Sequence, residues 1–214
     1  MSDSKKKLTI LGSSTVYGIE ELLDRVYTLL TAYGYEVWMS HKGTVPVFSN
    51  RTAFENCLAA VEKCDLFLGI ITPNYGSGQD SARPGEPSIT HLEMRRAIKL
   101  DKPRWILAHD HVIFARSLLN HLGREGAEGR RSLKLKKNSV LDDLRVIDLY
   151  EEATMDANNT PLAERRGNWV QKFGTADDGA TFVTAQFFRY QEAEAFVKEN
   201  FASGAPLPGR GRGA

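Results

Sequence analysis

Two hydrophobic rhythms alternate along the chain. Leu8-Thr9-Ile10-Leu11, Tyr35 to Met39, Leu66-Phe67-Leu68-Gly69-Ile70-Ile71 and Arg104 to Ala108 are short apolar runs with the length of buried strands. Between them, apolar residues recur every three or four positions, as on a helix face. Ile19, Leu22, Leu23, Val26, Leu30 and Tyr33 mark the first helix, which Gly34 closes. Phe54, Cys57, Leu58 and Val61 mark a second, a third runs from about Ser88 to Leu100, and Ile113, Phe114, Leu118 and Leu119 mark a fourth. The run 66–71 is apolar throughout, as a central parallel strand covered on both faces must be.

This alternation predicts a three-layer α/β domain over residues 7–150, an open, mostly parallel sheet of flavodoxin-like or Rossmann-like type. Arg145 to Leu149 reads as one more strand. Past Glu151 a strand is expected at Ala180 to Phe188 and a helix at Glu192 to Phe201, so 151–202 is expected to form a C-terminal α/β extension packed on the main sheet. Residues 1–6 and 203–214 are too poor in apolar side chains to offset the entropy of ordering and are expected to be disordered.

Composition narrows the class. The 214 residues carry 28 Lys and Arg against 27 Asp and Glu, a net charge of +1, which gives no strong signal for nucleic acid or an anionic membrane. No run approaches the ~20 apolar residues of a membrane span, and a cytoplasmic protein is expected. Cys57 and Cys64, seven apart on one helical pattern, cannot pair locally and read as buried thiols. The glycine-rich, basic segment 123–137 is expected to be a mobile, solvated surface segment.

Ligands of open parallel sheets bind at the carboxyl ends of the strands, which nominates the loops Gly12 to Gly18, His41 to Asn50 and Pro73 to Pro87. The third is long and offers an aromatic ring, hydroxyls and backbone amides in Asn74-Tyr75-Gly76-Ser77-Gly78, which suits a sugar or nucleotide as well as a plain surface loop. Ser13, Ser14 and Thr15 stand between a strand and a helix N-terminus, where amides favour an anion; a turn with a helix cap explains them too. P-loop and dinucleotide fingerprints are absent, as is a Gly-x-Ser-x-Gly elbow. The sharpest residue is Glu93, four positions from both Ile89 and Ala97 on the stripe that includes Leu92 and Leu100. A carboxylate on an apolar face is costly unless it is ion-paired with a neighbouring Lys or Arg or lines a pocket. His109-Asp110-His111 is a poor metal site without further ligands, and Asp110 reads better as a helix cap; no metal and no cofactor are expected.

Ser13-Ser14-Thr15, Gly34-Tyr35-Glu36-Val37, Tyr75-Gly76-Ser77 and Ser88-Ile89-Thr90-His91-Leu92-Glu93, in that order and spacing, resemble an uncharacterised family found at the N-termini of NACHT-type ATPases and as stand-alone bacterial proteins. That family is similar to TIR domains and, more distantly, to nucleoside deoxyribosyltransferases. The resemblance covers about residues 7 to 120 and implies a TIR-like fold. It also implies cleavage of an N-glycosidic bond in NAD or a related nucleotide, in bacterial defence or signalling, by an enzyme assembled with copies of itself or a protein partner. Glu93 matches the family's ribose-handling glutamate, with Ser13, Ser14, Thr15, Tyr75, Gly76, Ser77 and Ser88 as implied substrate contacts. The alternatives are a non-catalytic nucleotide-sensing or protein-interaction module and a deoxyribosyltransferase-like enzyme. His91 departs from the pattern, which has an acidic residue there.

Overall fold

The computed structural model describes residues 7–78, 85–136, 140–155, 161–165 and 167–200. The expected disordered ends, 1–6 and 203–214, and the middle of the third nominated loop lie outside the described residues. Five strands, β1 (Thr9–Ser14), β2 (Glu36–Trp38), β3 (Leu66–Ile71), β4 (Arg104–His109) and β5 (Val170–Phe173), form one open sheet. Its order is β2-β1-β3-β4-β5 and every pairing is parallel. β3 is central, as its unbroken apolar run requires, and all six of its residues are buried. The strand order turns back between β1 and β3, which makes the carboxyl ends of those two strands the place for a ligand.

Side chains alternate across the sheet and divide the core in two. On one face Ile10, Leu66, Leu68, Ile70 and Leu107 meet the helices α1 (Glu20–Ala32) and α7 (Ala176–Phe187), through Leu22, Val26, Phe182 and Phe187. On the other, Leu11, Phe67, Ile71, Ile106 and Ala108 meet α2 (Ala53–Lys63), α3 (Ile89–Lys99), α4 (Asp110–His121) and α6 (Arg145–Ala153). A short helix, α5 (Gly126–Arg130), precedes α6, and α8 (Tyr190–Asn200) ends the described chain.

Several expectations are corrected. Arg145 to Leu149 is not a strand: it opens α6, whose buried Val146, Ile147, Leu149 and Ala153 follow helical spacing. Ala180 to Phe188 is not a strand either. Thr175 and Asp178 close a capping box that starts α7, which buries Phe182, Val183 and Phe187 at helical steps. The strand of this region is β5, an edge strand four residues long, and it joins the same sheet beside β4. Segment 123–137 contains α5, and Arg130 within it is only 3% exposed, so the segment is not simply a solvated loop.

Candidate functional site

Glu93 lies in the second turn of α3, a helix begun by Ser88, whose hydroxyl accepts the His91 amide N–H at 3.3 Å. The buried face of α3 is Thr90, His91, Glu93, Met94 and Ala97; Leu100, expected on the inner stripe, is exposed. Glu93 is 8% exposed and faces the end of β1, where the Ser13 hydroxyl donates to its Oε2 at 2.5 Å. The Cys57 thiol of α2 is its second donor. Among the described residues, the groups acting on this carboxyl are these two neutral donors, so the expected alternative of an ion pair with Lys or Arg is not found. Burial pushes Glu93 up to about 7, against the lowering pull of Ser13 and Cys57. Burial and the neighbouring carboxyl push Cys57 up to about 11, which keeps it a protonated donor.

Ser13, Cys57 and Glu93 line a cavity of about 40 Å³, with Ser14, Ser40, Val45 and Thr90 at its walls. Two of the three nominated loops therefore contribute, the second through Val45. The volume is far below the roughly 300–1,000 Å³ of a pocket that engulfs a ligand.

The other expected site residues are elsewhere. Ser14 ends β1 with its hydroxyl on the Thr15 carbonyl at 2.9 Å, and α1 is capped at Ile19 without a side-chain bond, so residues 13–15 do not cap it. Thr15 is buried against Gly76, whose φ of +81° and lack of a Cβ allow the approach: a Cβ there would stand 2.8 Å from Thr15 Oγ1. Ser77 offers its carbonyl to Ile89 N–H at 3.1 Å, and Ser88 is fully buried under the helix cap.

Tyr75 belongs to a second polar cluster. Its ring is buried, its hydroxyl lies 2.6 Å from His91 Nδ1, and the Arg145 guanidinium sits over its face at 4.4 Å. His91 Nε2 is 3.1 Å from Glu152 Oε2, and Arg95 grips the same carboxylate with two hydrogen bonds at 2.7 and 2.6 Å. Burial works against the Glu152 charge, but Arg95 and His91 hold its carboxyl down at about 2. The departure at position 91 therefore places an imidazole where it links α3 to α6 and to the loop after β3.

His109, not Asp110, caps α4: its Nδ1 accepts the His111 N–H at 3.2 Å. The ligand atoms of His109, Asp110 and His111 all lie within 4.8 Å of one another, but that Nδ1 lone pair is committed to the cap.

The profile of the family described as "Domain of unknown function (DUF4062)" matches residues 10–158. The chain belongs to that family. No curated protein matches it. The DUF4062 stretch runs from β1 through α6 and holds Ser13, Cys57, Glu93 and the Tyr75 cluster, while β5, α7 and α8 lie past its end. Among the described residues, no DUF4062 helix is long and apolar enough to cross a membrane. Cys57 is the site residue that sequence reasoning missed. Its helical spacing marks it as inward-facing, but only the packing of α2 on α3 brings it to Glu93.

Proposed function

We propose that this chain is a TIR-like enzyme that cleaves the N-glycosidic bond of NAD or a related nucleotide, with Glu93 as its catalytic carboxylate. The observation that carries the reading is a buried carboxyl at the strand-order reversal, held by two neutral donors and poised near neutral pH. The family resemblance of residues 7 to 120 supports the same choice of bond.

In this reading the ribose edge enters the cavity and its hydroxyls hydrogen-bond to Glu93 and Ser14. The bond from the anomeric carbon to the base nitrogen breaks, its electron pair leaves with the base, and positive charge builds on the sugar beside the Glu93 carboxylate. Water then adds its oxygen to the anomeric carbon and gives its proton to Glu93, whose pKa suits a base near neutrality. Ser13 fixes the carboxyl in place. Tyr75 is not the stacking platform, because its buried ring already carries Arg145.

A second reading, a non-catalytic protein-interaction module, is favoured by a cavity too small to engulf a nucleotide. Incubation of wild type and Glu93→Gln with NAD, NADP, ATP and deoxynucleosides, with products identified by mass spectrometry, separates the two. Free nicotinamide or free base from wild type alone is expected. No product from any substrate at high protein concentration sinks the enzyme reading.

A further inference from the structure

Among the apolar residues that mark α4, Ile113 and Leu119 lean on the core and Val112 is fully buried. The others turn away from it. Phe114 is 67% exposed, Leu118 47%, and Leu122, which caps the helix, 65%. These three stand four residues apart, so they form one stripe along two turns. α4 packs on β4, β5 and α6, and β5 ends the sheet, which leaves the stripe on the outer flank of the molecule. It shares no residue with the Glu93 cavity and stands whether or not Glu93 cleaves anything.

Charge sets this face apart. Its exposed residues, His111, Phe114, Ser117, Leu118, His121 and Leu122, include no carboxylate, ammonium or guanidinium, and Arg116 is turned to Glu151 of α6 at 3.0 Å. The solvent face of α1 carries Glu20, Glu21, Asp24 and Arg25 instead. Exposed large apolar side chains on a face without charge mark an interaction surface. A strongly charged partner would find nothing there to pair with. A second copy of the same face meets no like charge and fits the spacing, which is symmetric about Leu118: Phe114 lies four residues before it and Leu122 four after.

We propose that two copies of this chain pair through α4, with the helices antiparallel across a two-fold axis at Leu118. Leu118 then packs on its own counterpart, and Phe114 of each copy packs on Leu122 of the other. Two turns of helix cover much less than the roughly 800 Å² per partner of a standard interface, so the pair is reversible and forms as concentration rises. Sedimentation equilibrium of the full chain over a wide range of concentrations tests it, with circular dichroism to check that each variant folds.

The expected result is a monomer–dimer equilibrium that rising salt does not weaken, because the seam is apolar. Leu118→Lys and Leu118→Glu each set like charges against one another on the axis and weaken the dimer by about tenfold or more. An equal mixture of the two variants re-forms dimers that neither makes alone. Phe114→Ser, a milder change at the most exposed position of the stripe, weakens the dimer in the same direction. A chain that stays monomeric at every concentration overturns the pairing, as does a dimer that Leu118→Lys and Phe114→Ser leave intact or that salt dissolves. A mixture that stays monomeric overturns it as well, since Leu118 then does not meet its counterpart.

Discussion

His91 and Glu93 stand two residues apart on α3, and each anchors a buried polar cluster. Around His91 a cation meets a carboxylate: Arg95 grips Glu152, the imidazole stands 3.1 Å from it, and together they hold its carboxyl down at about 2. Around Glu93 the partners are a hydroxyl and a thiol, and burial holds the carboxyl up at about 7. The first arrangement ties α3 to α6 and to the loop after β3. The second leaves a buried acid without a compensating cation, a cost to folding that the proposed catalytic role would account for. Burial of a polar residue is therefore no guide to its task; the charge of its partners is.

The strongest attack on this contrast is Glu93→Gln. Turnover is expected to fall by about 100-fold or more, read from product release by mass spectrometry. Stability should move the other way. The Glu93 carboxyl titrates near 7 when folded and near 4.5 when unfolded, so the stability it contributes is complete below pH 4.5 and is lost as pH rises through 7. The glutamine variant escapes that loss. It should be more stable than wild type by about 3 kcal/mol at pH 8 and no more stable at pH 4, in urea denaturation.

Glu152→Gln should do the reverse, at a cost of about 2 kcal/mol at pH 7, because Arg95 and His91 then face a neutral amide and the site is partly solvated. Glu152 is lowered, so its stabilisation is present above pH 4.5 and fades as pH falls toward 2. Wild type and variant should converge across that window in the same denaturation series. Tyr75→Phe removes one buried hydrogen bond to His91 and should cost about 1 kcal/mol by thermal melting. Cys57→Ala is the mildest change. Without the thiol donor Glu93 titrates higher, so the acid limb of the pH–rate profile shifts upward, while Cys57→Ser keeps a donor and the wild-type limb.

Residues 8–71 and 88–109 were legible because each element shows one clean period: an unbroken apolar run in β3, three- and four-residue steps in α1. Arg145 to Leu149 and Ala180 to Phe188 misled because Val-Ile and Thr-Phe-Val runs carry strand propensity, which tertiary packing of α6 and α7 overrides. The decisive helical signal in α7 lay upstream, in the Thr175–Asp178 capping box. At the site, Glu93 and Ser13 stand out because a carboxylate and hydroxyls sit where apolar or turn residues would serve. The clustering of Tyr75, His91 and Glu152 depends on where α6 docks, and Glu152 lies 61 residues beyond His91, outside any local pattern that could link them.

β5 lies outside the stretch that the family profile matches, yet it pairs with β4 and completes this chain's sheet. The portable unit of sequence and the closed unit of structure therefore end in different places. A fragment cut at residue 158 would strip β4 of its neighbour from Ile106 to His109 and uncover the surface of α1 on which α7 packs. Such a piece would be adhesive, open to strand exchange with any extended chain that reached it.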